Sequence, residues 1–352
     1  MRWLLALVAL CLAAATAGCK GPAVVSGTLN HVGRVKLGGA FGTPIAATLT
    51  PDGHALAVAG AHGPVQVWRL PISGDGSPTT FETTDELVTT RFVTPELILI
   101  GMKSSRVILW DWVHNRTVVD RVFADGRSVT MVAASDTGRY LASAGVVFDV
   151  DQRREVGSSN FLPTETGLQF AAGGKVLLSA GFHGGQIVLR DLSSGQTWRR
   201  LAPGPITGAS LSSAGDWVVT GVRGSSVHIW RSTDDRPTRS WSTSGEVRSV
   251  QITGDIVVVV SEGAVEARQL STGASRFRAP IRDLSAWATQ DTFVATGTVD
   301  GAVNLWNVAE GRLLATSRVF PSLVRAVGMS PASRLLVAAD VEGNVEIFRW
   351  EK

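Results

Sequence analysis

The sequence predicts an all-β protein made of repeated units, and two observations lead to this class. Outside the N-terminal segment, no stretch shows the 3.6-residue apolar period of an amphipathic helix. Instead, short runs of small and β-branched residues alternate with turns rich in Gly, Asp, Ser and Pro. The chain has 352 residues, which is enough to bury a large core without disulfide bonds.

One segment, VNLWNV at 303–308, has counterparts in seven other places. Each copy follows a β-rich run such as FVATGT at 293–298, and a turn such as SSG at 193–195 leads to a further strand. Four short strands per forty residues are the pattern of a propeller blade. Aligned on the aromatic residue, the copies recur every 38 to 42 residues. The aligned residues, which we call the wedge positions, are Trp68, Trp110, Phe148, Arg190, Trp230, Arg268, Trp306 and Phe348.

Eight copies predict a single eight-bladed β-propeller of four-stranded antiparallel blades over residues 33–352. The last copy ends at Trp350 with its third strand, whereas GRVKLGG at 33–39 has strand character and no blade of its own. We predict that this N-terminal strand pairs with the last blade and closes the ring, because an open ring leaves strand edges unpaired. The aromatic residues at the wedge positions are predicted to be buried core that fills the gap to the neighbouring blade.

The repeat units TGRYLASAG (137–145) and FVATGTVDGAVNLWNVAEGRLLAT (293–316) resemble the WD-repeat family, down to the pair Trp110-Asp111. The resemblance covers residues 33–350 and implies the propeller fold. It says less about function, because function resides in sites carried by such folds.

This chain departs from the family pattern in two ways. Several copies carry Phe or Arg where the family has tryptophan. The family's Asp-His-Ser/Thr-Trp hydrogen-bond set is also incomplete: the seventh copy keeps Thr296, Asp300 and Trp306 without a matching histidine.

Residues 1–18 are predicted to be a lipoprotein signal peptide. The apolar run LLALVALCLAAA has the length of a signal h-region and is shorter than the roughly twenty residues of a spanning helix. It ends in TAGC at 16–19, which resembles the lipobox of bacterial lipoproteins and makes Cys19 the predicted lipidation site. Residues 19–32 would then be a lipid-anchored tether. The small-x-small sequence at 15–17 also fits ordinary secretion, so that alternative stays open.

The predicted anchor sets the expected compartment and partners. Lys20 follows Cys19, and lipoproteins of Gram-negative bacteria without Asp at that place are usually sent to the outer membrane. We therefore expect a lipid-anchored monomer on the periplasmic face of the outer membrane, or on the cell surface of a Gram-positive envelope. Without Arg2 the formal net charge falls from +3 to +2, and no concentrated basic stripe typical of nucleic-acid binders is present.

No catalytic residue, metal site or cofactor is predicted. His62 and His183 fall in equivalent turns, but in blades one and four, which is too far apart for a shared metal. No Ser-His-Asp arrangement and no Gly-rich phosphate loop ahead of a helix can be identified.

The candidate partner-binding residues are arginines that the WD-repeat resemblance places on one rim of the ring. Arginine binds carboxylates through two parallel hydrogen bonds, so a cluster would favour an acidic partner. An alternative interpretation is that these arginines are surface residues paired with Glu246 or Asp283. The candidates are Arg223, Arg248, Arg282 and Arg325, with Phe182 as an apolar anchor.

These features predict a noncatalytic, lipid-anchored scaffold that binds other envelope proteins through the rim loops of the propeller. One alternative is a small-ligand or glycan sensor that uses the central channel. Another is a propeller enzyme such as a quinoprotein, for which the single segment DLSSGQTW at 191–198 shows a resemblance. Capture of partners from crosslinked envelopes would separate the scaffold from both alternatives.

Overall fold

The computed structural model is a closed ring of eight four-stranded antiparallel sheets. It describes residues 27–72, 76–123, 130–143, 145–158 and 164–351. The predicted signal peptide, Cys19 and residues 19–26 of the tether lie outside the described residues. The predicted all-β, eight-bladed fold is confirmed.

The chain enters the ring through β1 (Leu29–Lys36), which belongs to blade eight. Blades one to four follow in chain order, each with its strands neighbouring in sequence. Their strands are β2 (Pro44–Leu49), β3 (Ala55–Gly60), β4 (Val65–Arg69) and β5 (Thr79–Phe81); β6 (Leu87–Phe92), β7 (Leu97–Met102), β8 (Arg106–Asp111) and β9 (Arg116–Val122); β10 (Val132–Ala134), β11 (Tyr140–Ser143), β12 (Val146–Asp149) and β13 (Arg154–Ser158); and β14 (Glu165–Ala171), β15 (Val176–Gly181), β16 (Gln186–Asp191) and β17 (Thr197–Leu201).

Blades five to eight repeat this arrangement, and β1 supplies the outermost strand of blade eight. Their strands are β18 (Ile206–Leu211), β19 (Trp217–Val222), β20 (Ser226–Arg231) and β21 (Arg239–Ser242); β22 (Val247–Thr253), β23 (Ile256–Ser261), β24 (Ala264–Gln269) and β25 (Ser275–Pro280); β26 (Leu284–Gln290), β27 (Phe293–Thr298), β28 (Ala302–Asn307) and β29 (Arg312–Arg318); and β30 (Val324–Ser330), β31 (Leu335–Asp340) and β32 (Asn344–Trp350).

Helical structure in the described residues is limited to three single 3₁₀ turns, at Gly39–Phe41, Ala172–Gly174 and His183–Gly185. None of these is long or apolar enough to cross a bilayer. The first strands of neighbouring blades contact one another, as β14 does with β18 and β26 with β30. They therefore form the wall of the central channel.

The ring closes through β1, which pairs with β32 in antiparallel register, Val35 opposite Val345. The strand begins at Leu29, four residues before the predicted start, so the end of the predicted tether is part of the sheet. A bulge between His31 and Gly33 allows the pairing to continue across this polar stretch. His31 is held there by Glu346, with 2.6 Å between Nε2 and Oε2.

The wedge positions share one register, because each lies opposite the second residue of its blade's second strand, as Trp306 does opposite Val294. Aromatic side chains at these positions are buried, with exposed fractions between 1% and 6%. Trp110 lies 5.5 Å from Phe81, measured between ring centroids, and Phe81 belongs to the outermost strand of the preceding blade. The aromatic wedges therefore join neighbouring blades.

Two blades use arginine at the wedge position. The Arg268 guanidinium carbon lies 4.8 Å from the ring centroid of Trp241, in the outermost strand of the preceding blade. Arg190 also reaches back, to Gly157 in blade three: a Cβ on that glycine would lie 3.1 Å from the guanidinium carbon. The two arginines thus contact the same part of the preceding blade as the aromatic wedges do.

Candidate interaction surface

The five candidate residues lie on one rim of the ring. In every blade the start of the first strand pairs with the end of the second strand, as Val324 does with Asp340, so both ends lie at the same edge. We call this edge the upper rim; it carries the turns between second and third strands, such as 223–225 and 299–301. Arg223 and Phe182 directly follow second strands, Arg282 precedes β26, and Arg248 and Arg325 are the second residues of β22 and β30.

A bulge recurs at the start of seven of the eight first strands, with one extra residue opposite the second strand. Bulges change the direction of a side chain and end regular pairing. The extra residue is Arg248 in blade six, Ser285 in blade seven and Arg325 in blade eight. The repeated backbone feature therefore sets where these side chains emerge on the rim.

The arginines of the rim differ in their partners. Arg248 forms an ion pair with Glu262, and its Nη1 lies 4.0 Å from a carboxylate oxygen of Glu246. The alternative of a paired surface arginine therefore describes Arg248. In contrast, Arg282 and Arg325 are exposed and form no ion pair with any described residue.

Phe182 and Arg223 come together although they belong to blades four and five. The Arg223 guanidinium carbon lies 6.0 Å from the centroid of the Phe182 ring, and the ring also contacts His183 edge-on at 5.2 Å. A cation over an aromatic face at this distance adds about 0.5–1 kcal/mol at an exposed site. The contact joins the upper rims of blades four and five.

The mouth of the channel holds a cavity of about 370 Å³ between the first strands of blades one, two, seven and eight. Trp287 and Arg325 line it. At the register of Trp287, blades one and eight carry the smaller Ala47 and Val327. Sequence analysis missed Trp287. The signal that could have identified it is its size, because the other first strands carry smaller residues at this register.

The opposite end of the channel is polar. A second cavity of about 280 Å³ is lined there by Arg91, Gln169 and Gln251, among others. The Arg91 Nη2 donates a hydrogen bond to the backbone oxygen of Ala134 at 2.9 Å. Water reaches this side chain along the channel, yet the surrounding protein lowers the pKa of its guanidinium, and Asp136 opposes the effect.

Glu165 is an acidic residue that sequence analysis did not single out. It occupies the start of β14, where blades two, five and seven carry Leu87, Ile206 and Leu284. Only 4% of it is exposed, and the Ser179 hydroxyl donates a hydrogen bond to its carboxylate at 2.7 Å. Burial raises the pKa of the Glu165 carboxyl to about 7, and the hydrogen bond from Ser179 acts in the opposite direction.

Within the described ranges, no group of three or more His, Cys, Asp or Glu side chains is placed to hold a metal ion. His62 and His183, the histidines in equivalent turns, follow β3 of blade one and β15 of blade four. The structure does not bring them together.

Comparison with known proteins supports the repeat assignment in one part of the chain. Residues 271–307, which include the third strand of blade seven and Trp306, match the family WD domain, G-beta repeat. Human WD repeat-containing protein 18 is 30% identical over 172 residues, which cover 43% of this chain and 39% of that protein. The chain thus matches about two-fifths of the length of this curated relative.

Solved structures resemble the chain over nearly its whole length. The computationally designed Ika8 protein has a TM-score of 0.74 at 20% identity and covers 91% of this chain and 99% of its own. The C-terminal WD40 domain of Sif2 has a TM-score of 0.76 at 13% identity and covers 92% and 99%. At these identities the likeness concerns the fold alone. The matched repeat and the eight-bladed ring together support a WD-repeat β-propeller.

Proposed function

We propose that the protein is a noncatalytic, lipid-anchored scaffold of the bacterial cell envelope that binds partner proteins through the upper rim. One observation carries the proposal: Arg223, Arg282 and Arg325 keep exposed guanidinium groups on the same rim, free of intramolecular ion pairs among the described residues. Burying such groups against a partner is favourable when the partner supplies carboxylates. WD-repeat propellers generally serve in protein interactions, which supports the same conclusion.

The path of the chain supports a membrane anchor on the side opposite to this rim. Strand β1 runs from Leu29, opposite Trp350, to Lys36, opposite Asn344. Since Asn344 follows a turn of the upper rim, Leu29 lies at the lower rim. Gly27, just before it, bridges to Ala315 on the outside of blade seven. A lipid on Cys19 would thus hold the lower rim toward the membrane and leave the upper rim facing away.

The predicted tether is short. Gly27 is eight positions after Cys19, and a fully extended chain of that length spans about 28 Å. The scaffold would therefore act close to the membrane to which it is anchored. We propose the periplasmic face of the outer membrane, or the cell surface in a Gram-positive envelope.

The anchor is tested by Cys19→Ala. In the native host, wild-type protein should incorporate labelled fatty acid and sediment with membranes, whereas the variant should do neither. A wild-type protein that takes up no label and is recovered in the soluble fraction would contradict the lipid anchor.

The interaction surface is tested with two triple variants that change the same charge on opposite rims. The upper-rim variant is Arg223→Glu, Arg282→Glu and Arg325→Glu. The control variant is Arg153→Glu, Arg236→Glu and Arg334→Glu, three exposed arginines in turns of the lower rim. After crosslinking in native membranes, proteins captured by wild type should be lost with the upper-rim variant and retained with the control. Equal capture by all three proteins would overturn the proposal.

A specific observation favours a second candidate function, the binding of a small anion in the channel. Arg91 lies in a polar cavity with Gln169, Gln251 and Thr289, so a guanidinium and several amide or hydroxyl groups face one open cavity, which Asp136 also lines. A panel of sugars and inorganic anions, phosphate among them, should then raise the melting temperature of wild type and leave that of Arg91→Ala unchanged. If no member of the panel shifts the wild-type protein, this candidate fails.

A further inference from the structure

We infer that the upper rim of blades seven and eight binds an extended segment of a partner protein in which a carboxylate neighbours aliphatic side chains. The inference rests on the proposed function and specifies its site and the chemistry of its partner. The surface, which we call the blade 7–8 patch, consists of Arg282, Trp287, Val299, Val319, Arg325 and Val341.

Exposed apolar side chains are concentrated in this patch. Seven large apolar residues of the described chain are exposed, and four of them lie here: Trp287 at 37%, Val299 at 51%, Val319 at 41% and Val341 at 39%. The other three, Val32, Val122 and Leu201, are on the outermost strands of blades eight, two and four. Contiguous exposed apolar groups with polar neighbours mark interaction sites, whereas single ones are ordinary.

The backbone brings the valines next to the arginines. Val299 and Val341 hold the same place in the second-to-third turns of adjacent blades. The Val299 amide donates to the oxygen of Asp283, the neighbour of Arg282, at 2.9 Å. The Val341 amide donates to the oxygen of Leu323, two residues before Arg325, at 3.1 Å. Each valine turn is therefore hydrogen-bonded to the segment that carries an arginine, one residue from Arg282 and two residues from Arg325.

The loop that carries Val319 lies against the turn that carries Val299. A Cβ on Gly301 would lie 2.1 Å from the backbone oxygen of Phe320, and the φ angle of Gly301 is +82°. Only glycine permits this close approach. The two valines are thus held on adjoining segments of one surface.

Buried hydrogen bonds fix the turns of the patch. Asp340, which is fully buried, accepts hydrogen bonds from the amides of Glu342 at 3.0 Å and Asn344 at 2.8 Å. The Ser322 hydroxyl also donates to Asp340, at 2.9 Å, and so joins the loop before β30 to the turn after β31. A surface held in this way loses little conformational entropy when a partner binds.

The two unpaired arginines of the patch favour a partner that carries a carboxylate. Asp300, in the turn of Val299, is already paired with Arg318 at 2.7 Å. Asp283 and Glu342 are further exposed acids of this surface, and among the described residues neither forms an ion pair with Arg282 or Arg325. Arg248, one blade away, shows the contrasting case of a rim arginine neutralised by its own chain. Arg282 and Arg325 are therefore available to pair with a carboxylate of the partner.

The size of the cavity limits what enters it. Ser285 donates to the oxygen of Val324 at 2.7 Å, which joins the first strands of blades seven and eight beside Arg325. The cavity at the channel mouth, about 370 Å³, is at the small end of the range of roughly 300–1,000 Å³ for ligand pockets. It accommodates a side chain or a chain terminus. An extended segment that places one acidic group beside Arg325 and aliphatic groups on the valines satisfies all these features.

The experiment selects displayed random heptapeptides on the full-length protein, with counter-selection on Arg325→Glu. Enriched peptides should combine Asp or Glu with Val, Leu or Ile. Their affinity, measured by fluorescence polarisation of synthetic copies, should fall at least about tenfold in Arg325→Glu and in Val341→Asp, since a charge-assisted contact and a buried apolar contact are lost. Arg248→Glu, a matched change at the same bulge of blade six, two blades from Arg325, should alter affinity by less than about twofold, because that arginine is already paired.

The outcomes separate this inference from the proposed function. Peptides that lack a carboxylate, or that lose affinity equally in Arg248→Glu, would place recognition elsewhere on the rim and overturn the inference alone. Absence of any enriched peptide, together with unchanged capture by the upper-rim triple variant, would overturn both. A circular dichroism melt of each variant checks that lost binding does not reflect unfolding.

Discussion

Blades six and seven are adjacent in the ring but fill the same wedge position differently. In blade seven, Trp306 packs against Phe277 with ring centroids 6.0 Å apart, and its Nε1 donates to the Thr296 hydroxyl at 3.3 Å. In blade six, Arg268 extends over the face of Trp241. The large aromatic ring is then part of the preceding blade, and the wedge itself is a cation.

The comparison shows what the wedge position requires. Both side chains are long, flat at the tip and able to reach the outermost strand of the preceding blade, which is the contact that joins neighbouring sheets. The tryptophan indole makes this contact by apolar burial. The arginine packs through its aliphatic stem, and its guanidinium charge interacts with the aromatic face. The family match covers residues 271–307 and includes the third strand with the tryptophan wedge.

The largest expected effect is the loss of the aromatic wedge in blade seven. Trp306→Ala removes a side chain that is 94% buried, since its exposed fraction is 6%, and it leaves a cavity between two sheets. We expect the free energy of unfolding to fall by about 3–5 kcal/mol. Urea titration followed by tryptophan fluorescence and circular dichroism measures this. A loss below about 1 kcal/mol would mean that the wedge does not join the blades.

The second effect concerns blade four, where Glu165 replaces the apolar residue of blade seven, Leu284. The pKa of this carboxyl rises from 4.5 to about 7 on folding. Between these values the folded state binds the proton and the unfolded state does not, so stability falls as the pH rises from about 4.5 to about 7. The change corresponds to roughly 3 kcal/mol at most.

Unfolding titrations at pH 4.5, 6 and 7.5 on wild type and Glu165→Leu test this interpretation, with pH values chosen about the pKa of Glu165. The difference in stability between the two proteins should widen in favour of the variant as the pH rises. A difference that does not change with pH would show that Glu165 keeps an ordinary carboxyl pKa. Glu165→Gln separates the effect of charge from that of shape, because it removes only the charge.

The third effect is smaller and concerns the arginine wedge of blade six. Arg268→Ala removes the contact with Trp241 and the packing of the stem, and we expect a loss of about 1–2 kcal/mol. A double-mutant cycle with Trp241→Ala should give a coupling energy of about 0.5–2 kcal/mol. Additive effects of the two changes would show that the cation and the ring do not interact.

The smallest effect on stability is expected on the rim. Arg325→Glu should change the free energy of unfolding by less than about 0.5 kcal/mol, since no described residue pairs with this arginine. Arg248→Glu should cost somewhat more, up to about 1 kcal/mol, because it places a carboxylate next to Glu262. Thermal denaturation of both variants beside Arg268→Ala would rank the three. A rim variant as unstable as Arg268→Ala would contradict the expectation that rim arginines contribute less to stability than wedge residues.

The sequence was sufficient for the architecture, because the architecture repeats. A residue such as Trp306 recurs about every forty positions, and the lone strand at 33–39 had one open place to fill in blade eight. The residue at which that strand begins was harder to predict from the sequence. His31 and Gly33 interrupt its apolar pattern, and the bulge that accommodates them depends on Glu346 and Phe348 at the other end of the chain.

The position of the rim arginines was predictable from the sequence, but their ion-pair partners were not. Equivalent places in the repeats put Arg248 and Arg325 on one rim, and Arg282 lies on it just before the first strand of the blade between them. Whether each arginine finds a carboxylate depends on rotamers and on neighbouring turns, which periodicity does not encode. The exposed valines were missed for a related reason: Val299 and Val341 occupy turns, where an apolar residue carries no periodic signal.

Closure of the ring by β1 sets both the blade count and the rim at which the chain enters the propeller. Hydrogen exchange followed by mass spectrometry on the peptide spanning Leu29–Lys36 tests this directly. We predict that its amides exchange as slowly as those of the outermost strand of blade seven, Arg312–Arg318. Complete exchange of 29–36 within seconds, while Arg312–Arg318 stays protected, would contradict a closed eight-bladed ring.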